Sequence, residues 1–277
     1  MLRIDAHQHF WKFDPVRDSW INEEMKVIQR DFLPLDLQPV LQQNGIEGSV
    51  VVQSDQSATE NEFQLQNANN NEFIKGVVGW VDLQSDNIKE QLQALSRYKK
   101  LKGFRHVLQS EPDPAFMMRP DFLRGISCLR QFNYTYDILI YPKHLSYAKQ
   151  MVAAFPDQPF VIDHLAKPFI KDGIIEDWKR DMVAIAQHEN VSCKISGMVT
   201  EANWKQWKKE DFRPYLDVAF EVFGSKRILF GSDWPVCLVA ASYDKMLDIV
   251  QNYISEFTTQ EQSDFWSGNA VSFYNLT

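Results

Sequence analysis

Two histidines separated by one residue are the first side chains in this sequence that could do chemistry. His7 and His9 lie near the start of the chain, in a short apolar segment whose alternation is typical of a β-strand. Alternate residues of a strand share a face, so Asp5 is expected one step deeper on this face, with Ile4 and Ala6 facing the surrounding helices. Paired imidazoles can hold a metal ion or donate hydrogen bonds to a carbonyl oxygen.

Polar side chains also end five other apolar segments. The same alternation places them on the face shared by the two histidines, so all are expected to converge at one end of the fold. The set offers an aspartate that can accept a proton, an imidazole, and donors for substrate oxygens. Its members are Arg105, Tyr141, His164, Lys194 and Asp233.

Each of these residues also has an ordinary structural interpretation. Arg105 and Lys194 can be surface residues with extended stems, although a cation among apolar strand neighbours is costly unless it meets an anion. Tyr141 can be an amphipathic aromatic at the rim, and Asp233 can cap the turn at 232–235. We favour function for Asp233 and the two cations. His106 has the opposite parity to Arg105 and is expected to face helices or the rim.

Strands and helices that could position these residues alternate along the whole chain. Apolar residues at helical spacing, such as Ile88, Leu92 and Leu95, separate the predicted strands. Eight βα units predict parallel strands in an α/β fold, the (β/α)8 or TIM barrel. An open doubly wound sheet is the alternative, but no Gly-x-Gly-x-x-Gly follows the first strand. The predicted strands cover 4–9, 49–54, 76–81, 103–108, 137–141, 160–164, 191–196 and 228–233.

One segment, residues 10–33, breaks this alternation. It contains Trp11 and Trp20 among many charges, without a helical or strand period. Because it directly follows the first strand, we expect an inserted loop over the active-site face. No linker or repeat divides the chain, so the sequence predicts a single domain over 1–277.

Composition excludes several classes of protein. Lys and Arg number 29 against 37 Asp and Glu, and the net charge of −8 leaves no basic surface for nucleic acid. The 44% of hydrophobic residues supports a sizeable core, yet no run of about 18 apolar residues predicts a membrane span. The start has no signal segment and the three cysteines are scattered, so we expect a cytoplasmic protein.

Four segments, in order along the chain, resemble signature segments of the amidohydrolase superfamily. They are DAHQHFW at 5–11, VIDHLAKP at 161–168, SCKISG at 192–197 and FGSDWP at 230–235, and GNA at 268–270 fits as well. The similarity is closest to the branch that contains sugar lactonases and the pyrone-dicarboxylate lactonase. The fold of that superfamily is the (β/α)8 barrel, which agrees with the strand count.

The resemblance implies a role for each matching position. Histidines of this kind hold a metal or polarise the substrate carbonyl, and the aspartate activates water. The catalytic residues, which also hold the metal when one is bound, are then His7, His9, His164 and Asp233. The cations and the tyrosine bind substrate oxygens, which gives Arg105, Tyr141 and Lys194 as substrate-binding residues. Independently of the resemblance, Trp11 in the segment after the first strand is expected to stack on an apolar sugar face and to bind substrate as well.

One departure from the superfamily pattern limits the metal content. Metal-rich members carry a bridging Lys or Glu on the fourth strand and a His on the fifth, where this chain has Arg105 and Tyr141. We therefore expect at most one divalent ion, with zinc as the expected metal, or a site that works without metal.

Together these features imply a hydrolase that opens a sugar-acid lactone in carbohydrate catabolism, with L-fuconolactone as the leading substrate. Asp233 would take a proton from the attacking water and return it to the leaving alkoxide. Three alternatives are a metal-dependent decarboxylase of the same superfamily, a barrel that binds a sugar acid without catalysis, and a TatD-like nuclease. The negative charge and the absence of a fourth-strand Glu disfavour the nuclease.

Overall fold

Eight parallel strands form one sheet in sequence order in the computed structural model, which describes residues 2–277. The first and last strands meet where Gln8 bridges Trp234 and the Asp233 N–H donates to the His7 carbonyl at 2.8 Å. The sheet therefore closes into the predicted (β/α)8 barrel. The strands are β1 Ile4–Gln8, β2 Gly48–Val52, β3 Ile74–Gly79, β4 Leu101–His106, β5 Thr135–Ile138, β6 Phe160–Ile162, β7 Val191–Ile195 and β8 Ile228–Phe230.

Helices fill the intervals between strands and pack on the outside of the barrel. The predicted apolar stripe of Ile88 and Leu92 is the buried face of one of them, and Gly45 follows the first helix with a left-handed φ of 65°. The helices are α1 Pro34–Gln43, α2 Ala58–Asn70, α3 Ile88–Leu95, α4 Pro120–Leu129, α5 Leu145–Ala154, α6 Glu176–Ala186, α7 Met198–Glu201, α8 Lys209–Phe223, α9 Tyr243–Ile254, α10 Thr259–Ser263 and α11 Asn269–Tyr274.

The apolar core has two parts, one on each side of the sheet. The larger cluster joins outward-facing strand residues to the helices. The smaller cluster fills the amino-terminal half of the barrel, where the C-terminal segment packs against the strands. Its buried members are Ile4, Ala6, Val50, Val52, Val78, Val161, Leu229, Ala270, Tyr274 and Leu276.

All eight strands end one to three residues earlier than the sequence predicts. β5, β6 and β8 stop at Ile138, Ile162 and Phe230, so three predicted site residues lie in the loops that follow these strands: Tyr141, His164 and Asp233. Loops at the carboxyl ends of barrel strands carry the site in enzymes of this fold. The loop conformations therefore decide where these side chains point.

Two expectations from composition can be compared with the structure. No helix within residues 2–277 is long and apolar enough to cross a membrane. The three cysteines are buried and unpaired, as their scattered spacing predicts.

Candidate active site

A β-bulge in β1 sets the direction of the two paired histidines. Asp5 pairs with Ser49 and Gln8 with Val51, so β1 has one extra residue over this stretch. The bulge reverses the alternation. The expectation that Asp5 shares the face of His7 is wrong, because Asp5 faces outward and accepts a hydrogen bond from the Tyr243 hydroxyl at 3.0 Å.

The opposite face of β1 shows the same reversal. Ile4 and Ala6, which we expected to face the helices, lie in the inner cluster instead. His7 and His9 follow the bulge, and both point into the barrel, where their Nε2 atoms lie 3.2 Å apart. The pair of imidazoles is therefore in place, although the inward residues that precede them in β1, Ile4 and Ala6, are apolar.

The loop after β6 brings His164 into the site by a route that strand alternation does not describe. Val161 packs in the inner cluster, whereas Ile162 packs against the helices, so Asp163 is the residue that continues the inward face. His164 reaches the site because its backbone is left-handed, with φ of 53°. Its Nδ1 lies 2.9 Å from the Ser196 hydroxyl oxygen.

Asp233 stands at the centre of the three imidazoles. One carboxylate oxygen lies 3.3 Å from His9 Nε2, 3.8 Å from His164 Nε2 and 3.9 Å from His7 Nε2. Burial raises the pKa of Asp233, but the neighbouring His164 and His9 outweigh burial and bring the pKa below its ordinary value. Asp233 is therefore an ionised carboxylate at neutral pH.

Contacts behind the ring fix the tautomer of His9. Its Nδ1 lies 2.8 Å from the Val52 carbonyl oxygen, which can only accept, so Nδ1 carries the proton. The Nε2 atom of His9 is then directed toward the Asp233 carboxylate, 3.3 Å away. Fixing one ring nitrogen in this way is how proteins orient a histidine toward a metal or a substrate.

The donor set fits a single metal ion. His7, His164 and Asp233 each offer a ligand atom, and these atoms lie within 4.8 Å of one another. Burial lowers the pKa of His7 and of His164 well below the ordinary value, so both imidazoles are neutral with a free lone pair. Two or three imidazoles and a carboxylate form a ligand set that suits zinc.

Beneath the imidazoles lies a buried network of charges. Lys194 Nζ is 2.6 Å from Asp137 Oδ2 and 3.0 Å from Asp163 Oδ1, and the three side chains are fully buried. The same ammonium lies 3.2 Å from His7 Nδ1. Burial raises the pKa of Asp163, but Lys194 and His7 more than offset this effect and hold it well below the ordinary value. The network therefore supports His7 from below.

Lys194 belongs to this network, and its contact with substrate stays a prediction. Its side chain is fully buried, and the cavity wall that residues 2–277 form does not include it. The surface interpretation of Lys194 is wrong for the same reason. Tyr141 is 36% exposed and also lies outside that wall, with its ring centre 5.6 Å from Lys167 Nζ.

The cavity above the site is small, with a volume of about 190 Å³. Ligand pockets for drug-sized molecules are usually about 300–1,000 Å³, so the occupant must be small. Arg105 and Trp11, which we expect to bind substrate, line the wall together with His9, His164 and Asp233. His106 faces outward, as its parity predicts, and stacks on Phe116.

Residues 10–33 contribute an aromatic wall to this cavity. Trp11 is 2% exposed and its indole N–H donates to the Arg30 carbonyl at 2.9 Å. Trp20 packs on Trp11 edge to face and is 45% exposed, so it presents more free ring surface to a ligand. Trp20 was not singled out in the sequence because the segment shows no periodicity from which to infer a facing side.

Two further charged residues were missed in the sequence. Asp163 was missed because alternation through a strand ending at His164 assigns Ile162 to the inward face, whereas Ile162 packs against the helices. Lys167 lines the cavity although it follows the predicted strand. The only signal that could have indicated either residue was its position within the matched segment at 161–168.

We expect Gly231→Ala to disturb the site from within the barrel. A β-carbon at Gly231 would lie 2.6 Å from His7 Cβ and 3.2 Å from Ser196 Cβ, so the imidazole must shift. Overpacking of this kind costs about 1–3 kcal/mol of unfolding free energy, measured by urea denaturation, and kcat should fall by at least about tenfold. Gly268→Ala is the matched control, since the nearest atom to a β-carbon there is an Asp264 carboxylate oxygen at 3.1 Å, and the Ser263 carbonyl oxygen at 3.6 Å is in ordinary contact. Unchanged kcat in Gly231→Ala would contradict this packing.

Comparisons with known proteins agree with this geometry. The family model described as amidohydrolase matches residues 4–276. The chain is 38% identical to an L-fucono-1,5-lactonase of Burkholderia multivorans and 34% identical to one of Burkholderia ambifaria, each over 99% of this chain and 96% of the relative. A crystal structure of an amidohydrolase from Burkholderia multivorans with bound zinc, 38% identical, superposes with a TM-score of 0.96 over 100% of both chains. The chain belongs to the amidohydrolase family.

Proposed function

We propose that this protein hydrolyses a sugar-acid lactone, with L-fucono-1,5-lactone as its best substrate. The observation that carries the proposal is the ionised Asp233 carboxylate among three imidazoles at the base of a cavity of about 190 Å³. The full-length similarity to two proteins named L-fucono-1,5-lactonase supports the same chemistry. We further propose that residues 1–277 act as one barrel domain, with 10–33 covering the active-site face.

Asp233 is the proposed general base. A water molecule beside its carboxylate gives up a proton as the water oxygen attacks the lactone carbonyl carbon. The carbon–oxygen bond of the ring then breaks, and Asp233 returns the proton to the departing ring oxygen, which becomes a hydroxyl. One lactone and one water molecule thus give one sugar acid.

The proposed role of the imidazoles is to hold a metal ion that polarises the substrate carbonyl. His7, His9 and His164 would hold one zinc ion together with Asp233, and zinc in that place supplies Lewis-acid polarisation of the carbonyl. The neutral rings of His7 and His164 suit this role because they need no deprotonation to bind a metal. The buried pair of Lys194 and Asp163 holds His7 in position from below.

Substrate binding is proposed for the cavity wall. Arg105 lies at the cavity floor, where one guanidinium nitrogen is 3.2 Å from His7 Nε2 and 3.1 Å from Asp163. Trp11 and Trp20 form an apolar wall that suits the methyl-bearing face of a 6-deoxy sugar. A neutral, compact sugar ring matches the small volume and the mixed character of this cavity.

A panel of lactones tests the proposal. Acid release would be followed with a pH indicator for L-fucono-1,5-lactone, other aldonolactones, pyrone-dicarboxylate and a simple aryl ester. We expect at least about a tenfold preference in kcat/KM for aldonolactones, which corresponds to roughly 1.4 kcal/mol of transition-state binding. Equal rates on every lactone would remove the sugar assignment. Activity confined to the aryl ester or the pyrone, or release of carbon dioxide, would overturn the proposed function.

We expect Trp20→Ala to raise KM for the preferred lactone by about tenfold, with a smaller change in kcat. The substitution removes apolar contact area near the substrate but leaves Asp233 and the imidazoles untouched, so binding suffers more than chemistry. Steady-state kinetics would measure both constants. Val16→Ala is the control, because Val16 lies in the same segment and is 84% exposed. A fall in kcat alone would show that Trp20 does not contact the bound substrate.

A further inference from the structure

A lysine outside the predicted site set lines the cavity. Lys167 follows His164 by three residues, and its side chain belongs to the same wall as His9 and Asp233. The side chain is only 18% exposed. A positive charge therefore faces a small cavity next to the proposed reaction centre.

The backbone of this loop is held in an unusual conformation. Four successive residues, His164 to Lys167, have φ between 53° and 56°, and the Lys167 N–H donates to the His164 carbonyl at 2.7 Å. The left-handed region is costly for residues with a β-carbon and persists only where the surrounding structure imposes it. A plain connection from β6 to α6 has no need of this conformation. The left-handed conformation of this loop places two of its side chains, His164 and Lys167, in the cavity wall.

Two side chains flank the Lys167 ammonium and leave it free to bind. Glu201 Oε1 lies 3.5 Å from Nζ, and the Tyr141 ring centre lies 5.6 Å away. A charge-assisted N–H···O bond is normally about 2.7–2.9 Å long, so the contact with Glu201 is loose. The ammonium has three donors, so Lys167 can bond a ligand oxygen while keeping both neighbours.

The second cation of the cavity wall is engaged more tightly. Arg105 contacts the Asp163 carboxylate at 3.1 Å and donates to the Gln53 carbonyl at 2.5 Å. These contacts hold its guanidinium at the cavity floor. A substrate oxygen that lies above the cavity floor therefore has Lys167, and not Arg105, as the cation available to bind it.

We infer that Lys167 determines which hydroxyl pattern the enzyme accepts, by donating a hydrogen bond to one ring hydroxyl of the sugar lactone. The inference rests on the proposed lactone hydrolysis. Glu201 already balances the charge of the ammonium, so a neutral hydroxyl suits this position better than an anion. Glu201 and Tyr141 are positioning residues that act through Lys167.

Deleting single hydroxyls from the substrate tests this contact. The value of kcat/KM would be measured for L-fucono-1,5-lactone and its 2-, 3- and 4-deoxy analogues, with the wild type and with Lys167→Met. We expect the parent lactone to lose about tenfold to hundredfold in the variant, as for a hydrogen bond to a charged group. One deoxy analogue should lose less than about threefold, because its missing hydroxyl is the one that Lys167 contacts. Lys171→Met, an exposed lysine of the same loop, should leave all four values unchanged.

The pattern of losses in kcat/KM across the four lactones decides whether Lys167 contacts a hydroxyl. Equal losses on all four lactones, or an unchanged parent lactone, would overturn the inference and leave Lys167 a structural residue. If circular dichroism shows that Lys167→Met does not fold, Glu201→Gln takes its place and must weaken discrimination at a single hydroxyl, with equal losses again overturning the inference. A wild-type protein that hydrolyses none of the four lactones would instead remove the proposed function.

Discussion

Replacing Asp233 with Asn is expected to lower kcat by about 10²- to 10⁴-fold while the protein stays folded. The amide keeps the shape of the carboxylate but cannot take a proton from water. Asn also tolerates the left-handed backbone that Asp233 adopts, with φ of 58°, so the loop should keep its conformation. Acid release would measure kcat, and circular dichroism would measure the thermal midpoint.

Asp244→Asn is a suitable control for this substitution. Asp244 is an exposed carboxylate in the first turn of α9, and we expect its kcat and thermal midpoint to match the wild type. Turnover like the wild type in Asp233→Asn would show that another group takes the proton. A large fall in the thermal midpoint would show that Asp233 is needed for folding, and the loss of activity would then say nothing about catalysis.

Lys194→Met should reduce the free energy of unfolding by about 3–5 kcal/mol at pH 7. The ammonium lies between Asp137 and Asp163, and removing it leaves two buried carboxylates without their shared partner. Met fills a similar volume, so the loss comes from charge rather than from a cavity. Urea denaturation would measure the difference. We also expect kcat to fall, because His7 loses a contact at 3.2 Å.

The deficit of Lys194→Met should shrink as the pH falls. Burial raises the pKa of Asp137 to about 6 even with Lys194 present, and loss of the ammonium raises it further. A carboxyl group with a raised pKa in the folded state destabilises the protein above its unfolded pKa of about 3.9, and the cost disappears when both states are protonated. Unfolding measured from pH 7 to pH 4 would show the two proteins converging.

A second substitution separates charge from packing in this network. Lys194→Met combined with Asp137→Asn removes one of the two carboxylates that lose the ammonium. We expect the double variant to regain at least about 1 kcal/mol of unfolding free energy over the single variant at pH 7. Equal stability of Lys194→Met and the wild type, or no recovery in the double variant, would contradict the role given to the buried pair.

The barrel could be predicted because it depends on patterns that repeat along the chain. Eight apolar runs separated by helical spacing are visible in the sequence, and the structure confirms eight parallel strands in that order. A β-bulge, which inserts a single residue into a strand, leaves no such pattern in the sequence. The bulge between Asp5 and Gln8 is one extra residue, yet it turns Asp5 outward and brings Ile4 and Ala6 inside.

The site was harder to predict where it depends on loop conformation and on depth in the barrel. Nothing in the residue types marks His164 and Lys167 as left-handed, because neither is a glycine. Strand alternation was therefore used to bring His164 into the site, and this put the inward face of β6 on the wrong residues, so that Asp163 was missed. Alternation correctly turns Lys194 inward but does not say how far it lies from the cavity. Its burial beneath His7 follows from the ion pair with Asp137, which forms only when β5 and β7 come together in the closed barrel.

Hydrolysis in water enriched in ¹⁸O tests most directly whether water attacks the lactone carbonyl at the Asp233 site. L-Fucono-1,5-lactone would be opened at an enzyme concentration that outpaces spontaneous hydrolysis, and mass spectrometry would locate the label in the sugar acid. We expect a single labelled atom in the carboxylate and none in the hydroxyl that forms from the ring oxygen, with Asp233→Asn slower than the wild type by about 10²- to 10⁴-fold. Label in that hydroxyl, or fast turnover by Asp233→Asn, would contradict attack at the carbonyl with Asp233 as the base.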